Sequence, residues 1–254
     1  MSAVVIAVTN QKGGVGKTTT SVNLGAALAQ AGQRVLLVDI DAQGNATSGS
    51  GIDKSELERD SYDVIVDGAP LHEVIVPTDN YDLVPATIQL SGAEIELADK
   101  KEREYRLKAA LATVADDYDF ILIDNPPALG LLTVNAFTAA DAILIPVQTE
   151  FYALEGLGQL LNTIELVRQQ FNPDLDIAGI LLTMYDGRTN LAKQVAEEVR
   201  NYFGDKVYET VIPRTVRLSE APSYGQAIID FDPRSVGAQV YTELAQEVLK
   251  QYGN

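Results

Sequence analysis

The sequence predicts an α/β fold of three layers, a mostly parallel sheet with helices on both faces. Three observations predict it. Short apolar runs, several of them continuous rather than alternating, are separated by helical stretches, the pattern of strands buried on both faces. Acidic residues (Asp39, Asp124) stand where such runs end, and polar chemistry gathers at the carboxyl ends of parallel strands. A length of 254 residues with 46% hydrophobic content suits one domain, residues 1–254, with a sizeable core.

The elements follow in order. Val4–Val8 is a β-branched run that reads as the first strand. Residues 18–31 read as a helix with Gly32 at its end. Residues 35–38 form an apolar strand ending at Asp39, and residues 83–84 a short strand. Residues 103–115 look helical, and residues 120–123 make a strand ending at Asp124. Then come a strand at 142–147, a helix at 156–171, a strand at 177–183, a helix at 191–203, a strand at 207–212 and a closing helix at 235–252. Residues 52–82, rich in Asp, read as loops with a short helix.

Composition removes several functions. The chain has no cysteine, which excludes disulfides, thiolate metal sites, iron–sulfur clusters and cysteine nucleophiles. The single histidine, His72, falls in the acidic loop region and reads as a surface residue. The N-terminus lacks a basic region before its apolar run, and no apolar run nears the ~20 residues that span a bilayer, so a cytoplasmic protein is expected. The net charge of −17 implies a strongly solvated surface, able to attract a basic partner segment.

Residues 11–18, Gln-Lys-Gly-Gly-Val-Gly-Lys-Thr, follow the first strand and open the first helix. That is the context of a phosphate loop. Glycines let successive N–H groups converge on one anion, and the helix N-terminus adds its positive dipole end. Lys17 can reach β- and γ-phosphate oxygens, and the Thr18 hydroxyl can ligate magnesium. One departure from the general motif stands out: Gln11 replaces its first glycine, and Lys12 is a second lysine in the loop.

Lys12-Gly13-Gly14-Val15-Gly16-Lys17-Thr18 resembles the deviant Walker A loop of the ParA/MinD group of ATPases, which have the P-loop NTPase fold. The resemblance continues through residues 36–47 (Leu-Leu-Val-Asp-Ile-Asp-Ala-Gln-Gly-Asn-Ala-Thr), 123–127 (Ile-Asp-Asn-Pro-Pro) and 130–135. It runs on to 152–156 (Tyr-Ala-Leu-Glu-Gly), 188–191 and 217–223 (Arg-Leu-Ser-Glu-Ala-Pro-Ser). It covers nearly the whole chain, and the later blocks match the chromosome- and plasmid-partitioning, Soj-like branch.

The resemblance implies ATP and Mg2+ as cofactors and a homodimer that sandwiches two ATP molecules. Lys12, Gly13, Gly14, Val15, Gly16, Lys17, Thr18 and Thr19 would bind the nucleotide, with Lys12 reaching the partner subunit's ATP. Lys12, Lys17 and Asp41 would be catalytic, Asp41 by activating the attacking water. Thr18, Asp39 and Asp124 would serve the magnesium, Asp124 through its water shell. Met184, Pro213 and Arg214 would line the adenine pocket. Asn125 departs from the family, where cysteine often precedes the Pro-Pro pair, and Thr215 stands where asparagine is usual.

The same resemblance implies non-specific double-stranded DNA binding through Arg188, Arg214 and Arg217, and a ParB-like partner that stimulates hydrolysis. Residues 186–217 hold six basic and five acidic residues, so a local basic stripe would sit on a body carrying −18. The closing residues have one lysine, unlike the basic membrane-binding helix of MinD-type relatives, so no membrane partner is expected. Three other readings remain open: an ATPase of the same family that positions another cargo, a small-molecule ligase or carboxylase on the same scaffold, and a non-hydrolysing scaffold, which the full set Lys12, Lys17, Asp41 and Asp124 disfavours.

Overall fold

A computed structural model describes residues 2–151, 153–154 and 156–253. Tyr152 and Glu155, part of one block that resembles the family, lie outside the described residues. In chain order the elements are β1 (Val4–Val8), α1 (Lys17–Gln30), β2 (Val35–Asp39), α2 (Asn45–Gly49), β3 (Val76–Pro77), β4 (Asp82–Val84), α3 (Ala93–Leu97), α4 (Arg106–Leu111) and β5 (Phe120–Asp124). Then follow α5 (Leu131–Ala139), β6 (Ala142–Gln148), α6 (Leu157–Gln170), β7 (Asp176–Tyr185), α7 (Asn190–Phe203), β8 (Val207–Pro213), α8 (Val216–Glu220), α9 (Ile228–Phe231) and α10 (Val236–Tyr252).

Among the described residues, eight strands form one sheet in the order β3-β4-β2-β5-β1-β6-β7-β8. Every pairing is parallel except β3 with β4. Successive residues of a strand face opposite layers, so β1 sends Val5 and Ala7 to one core and Ile6 and Val8 to the other. Helices α3 to α7 contribute to the first core, and α1, α8, α9 and α10 to the second. Both faces are therefore dry, which is why β2, β5 and β6 are buried along their whole length.

Local sequence signals place most elements within one or two residues. The structure corrects three readings. The helix expected over 103–115 shrinks to Arg106–Leu111, with hydrogen-bonded turns on either side. Helices α2, α3, α5, α8 and α9 were not expected: four of them are only four or five residues long, and Leu131–Ala139 is buried on several sides, with Thr133, Asn135 and Thr138 among its buried residues, so it shows no helical stripe. Residues 52–82 are mostly irregular with short helical pieces, two 3-10 turns at Lys54–Glu56 and Leu71–Glu73 and a single π-helical turn over Asp63–Asp67, but they also contain the unexpected two-residue strand β3.

Strand order has one consequence for function. The carboxyl ends of β2, β5 and β1 are neighbours, so Asp39, Asp124 and the glycine loop after Val8 meet at one point. The ends of β6, β7 and β8 lie beside them and bring Glu150, Met184 and Arg214 to the same rim.

Candidate nucleotide-hydrolysis site

The loop after β1 is built for an anion. Gly14 and Gly16 take φ of 74° and 89°, a left-handed backbone that favours glycine. No side chain caps α1, which leaves the first-turn N–H groups facing outward at the positive end of the dipole. The Lys17 side chain folds back over the loop, its Nζ donating to the Lys12 carbonyl at 3.3 Å. Lys17 is only 7% exposed. Burial lowers its pKa, and the charges of Asp124 and Asp41 oppose that shift. A triphosphate would supply the negative charge this buried ammonium needs.

Asp124 is wholly buried at the end of β5. Its carboxylate accepts from Thr18 Oγ1 and Ser21 Oγ, each at 2.8 Å. Ser21 had no place in the sequence reading; its signal is its spacing of three from Thr18, which puts both hydroxyls on one helix face. Asp39 pairs with Asp124 in register on the adjacent strand. Its Oδ2 accepts from the Thr47 N–H at 2.9 Å and the Thr47 hydroxyl at 2.8 Å. Its Oδ1 accepts from the Asp41 N–H at 3.1 Å. Asp39 thus fixes the backbone that carries Asp41.

The donor set fits a magnesium nucleotide. Thr18 and Asp124 offer one hydroxyl and one carboxylate, and among the described residues there is no cluster of three or more His, Cys, Asp or Glu that could hold a metal. Magnesium bound with phosphates takes few protein ligands and keeps waters. Burial is the main cause that pushes the carboxyls up, to about 7 for Asp124 and about 6 for Asp39, and the charge of Asp39 adds to the shift of Asp124. A divalent cation would relieve that strain.

A prediction about stability follows from the sign of these shifts. An unfolded Asp titrates near ~4, below both folded values, so stability of the ligand-free chain is full below that pH and falls as pH rises through about 6 to about 7. Asp124→Asn is expected to unfold roughly 2–4 °C above wild type at pH 8, a gap worth ~1 kcal/mol, to keep about half of that advantage at pH 5.5, midway between ~4 and about 7, and to lose it below pH ~4. Calorimetry without nucleotide measures it; a gap that widens on acidification would contradict the burial argument.

Next to the loop lies a cavity of about 610 Å³, walled by Gly16, Thr19, Thr183, Met184, Pro213, Arg214 and Tyr241 among others. Met184, Pro213 and Arg214, predicted as adenine contacts, are therefore together and border the phosphate loop. Met184 has φ of 51°, unusual for a non-glycine residue and characteristic of functional sites. Thr215 caps α8 by accepting the Leu218 N–H at 3.2 Å, which gives this departure from the family a structural role. Asn125 is buried and donates from Nδ2 to the Val8 and Ile123 carbonyls at 3.2 Å each. It ties the end of β5 to the end of β1.

The remaining predicted residues are paired within the chain. Lys12 Nζ lies 3.2 Å from Glu150, whose other oxygen is 4.0 Å from Arg214 and accepts from Gln148. Glu150 was missed, although it sits just past an apolar strand as Asp124 does. Arg188 pairs with Asp186 at 2.7 Å. Arg217 lies 3.2 Å from Glu220, 3.3 Å from Asp232 and 5.7 Å from the Phe231 ring centre.

Comparison with known proteins agrees with this geometry. Residues 3–177 match the family described as AAA domain. The chain is 65% identical over 246 residues to the sporulation initiation inhibitor protein Soj of Bacillus subtilis, covering 96% of this chain and 97% of that protein. It is 53% identical to the chromosome partitioning protein ParA of Myxococcus xanthus over 249 residues, covering 97% and 88%. Among solved structures, cobyrinic acid a,c-diamide synthase from Mycobacterium smegmatis, with bound ATP analog and magnesium, superposes with a TM-score of 0.88 at 41% identity, covering 98% and 96%. The Pyrococcus furiosus cell division ATPase MinD does so with a TM-score of 0.81 at 27% identity, covering 98% and 99%. With a glycine loop that opens α1, a buried aspartate at each of two neighbouring strand ends and these relatives along nearly its full length, the chain belongs to the ParA/MinD-type P-loop ATPases, in their Soj-like branch.

Proposed function

We propose that this ATPase segregates DNA, using ATP-driven dimerisation as its switch. The observation that carries the reading is 65% identity to Soj across nearly all of both chains, with Lys12, Lys17, Asp41 and Asp124 all present. Two subunits would face each other across two ATP molecules. Lys12 would leave Glu150 and reach the partner subunit's phosphates, where a cation supplied from outside can be worth about 10³–10⁵ in rate. Asp41 would activate the attacking water while Lys17 and magnesium neutralise the developing charge.

The dimer would bind double-stranded DNA non-specifically through Arg188, Arg214 and Arg217, associate with the nucleoid, and be released when a ParB-like partner stimulates hydrolysis. Each arginine has a carboxylate partner in the free chain, which DNA phosphates must displace. Binding should therefore be weak and fall steeply with salt, by about 0.9 in logarithmic slope per phosphate neutralised. Among the described residues no helix is long and apolar enough to cross a membrane.

The test is ATP turnover with and without DNA and the ParB-like protein of the same genome. Stimulation requiring both supports the reading, and turnover indifferent to both overturns it. Arg217→Glu is expected to keep ATP-dependent dimers while gel retardation of DNA disappears; equal retardation would place the DNA face elsewhere. A second reading, ligation of a small acid, draws on a cavity of about 390 Å³ on the Lys12 side of the loop, lined in part by Asn10, Gln11, Lys12 and Gln148. Turnover driven by a small carboxylic acid in place of DNA would favour it.

A further inference from the structure

The segment between β4 and α4 presents an unusual face. Leu90, Ala93 and Leu97 turn inward, at helical spacing, and are buried. Ile88 and Ile95, seven residues apart and so two turns along the outer side, are 67% and 81% exposed. Glu94, Glu96 and Asp99 are exposed around them. Residues 86–99 contain no basic residue, and Lys100 and Lys101 mark the border of the stripe.

This face is tied to the hydrolysis site from two directions. The Ala86 N–H donates to Thr47 Oγ1 at 2.9 Å. That hydroxyl donates to Asp39, whose other oxygen holds the Asp41 N–H. On the opposite flank the Glu94 carboxylate lies so close to Gly130 that a Cβ there would meet it at 1.8 Å. Gly130 opens α5 and ends the loop that begins at Asp124. A load on residues 86–99 would thus reach the backbone of Asp41 and the loop after Asp124 together.

We infer that the outer face of residues 86–99 is the docking surface for the protein that stimulates hydrolysis, through a partner segment in which apolar side chains alternate with Lys or Arg. The inference rests on the function proposed above. Ile88 and Ile95 supply the apolar anchors and the three carboxylates the complementary charge. A second copy of this chain is a poor occupant, because two such acidic faces repel, and DNA is excluded for the same reason. Docking would pull on the Ala86–Thr47–Asp39 chain and reset Asp41, which makes stimulation a local displacement of one catalytic loop.

The test titrates ATP turnover, with DNA present, against the ParB-like protein of the same genome, for wild type, the double variant Ile88→Ser with Ile95→Ser, and Asp99→Lys. The double variant is expected to raise the half-saturating partner concentration about tenfold or more, and Asp99→Lys roughly two- to fivefold. Basal turnover and ATP-dependent dimers, followed by light scattering, stay as in wild type. Unchanged titrations in both variants, with wild type stimulated, overturn the docking surface and leave the proposed function standing. Loss of ATP-dependent dimers in the double variant also overturns it, since the face then belongs to a second copy. A wild type that the partner does not stimulate sinks the proposed function and this surface with it.

Discussion

Lys17→Ala is expected to weaken ATP binding at least about a hundredfold, a loss of about 2.8 kcal/mol at 1.4 kcal/mol per decade. The lysine is 7% exposed, and its ammonium sits among the Lys12 carbonyl, Asp124 and Asp41. Its removal leaves two carboxylates facing a triphosphate without the fixed cation between them. Magnesium alone cannot replace it, because the ion is brought by the nucleotide whereas the ammonium is already desolvated and positioned. Calorimetric titration of Mg-ATP measures the effect, with circular dichroism to establish that the variant is folded. Unchanged affinity would contradict the assignment of residues 11–18 as the phosphate loop.

The second large effect is on rate. Asp41→Ala is expected to lower turnover by about 10²–10⁴, the range for a positioned acid–base group, while ATP affinity changes little. Asp41 reaches the site from a turn fixed by three hydrogen bonds: its N–H to Asp39, its side chain accepting the Gln43 N–H at 3.0 Å, and its carbonyl accepting the Gly44 N–H at 2.8 Å. Two of these three bonds use only the Asp41 backbone and survive loss of the carboxylate, so the substitution should remove chemistry with little change of shape. ATP-dependent dimers are expected to persist and to be longer-lived than in wild type. A variant that stays monomeric with ATP by light scattering would assign Asp41 to dimer assembly instead.

Thr47 explains why sequence reasoning reached some of this site and not the rest. It lies within a block quoted for its resemblance, yet nothing local to residue 47 reveals that its hydroxyl accepts from Ala86, thirty-nine positions on, and donates to a buried aspartate. Glu150 is a similar case. Its spacing from an apolar strand was visible, but its link to Lys12 spans 138 residues and exists only because β6 lies beside β1. The arginines were legible as cations, whereas their carboxylate partners were not. Asp232 is fifteen residues from Arg217 and meets it only because α9 packs near α8 through the turn at Ala221–Tyr224.

What the sequence determined by itself is everything governed by near neighbours. It specified strands that are apolar on both faces, the left-handed glycines before α1, a lysine and threonine at the helix start, and acids at two strand ends. These depend on backbone sterics, helix dipoles and local periodicity, which act over a few residues. The tertiary structure decided which groups share a proton, a charge or a cavity. The order β2-β5-β1 sets Asp39 against Asp124 and brings Thr18 within 2.8 Å of a carboxylate 106 residues away. Hydrogen bonds and desolvation operate at ångström range, so their partners are chosen by how distant strands stack and not by their order along the chain.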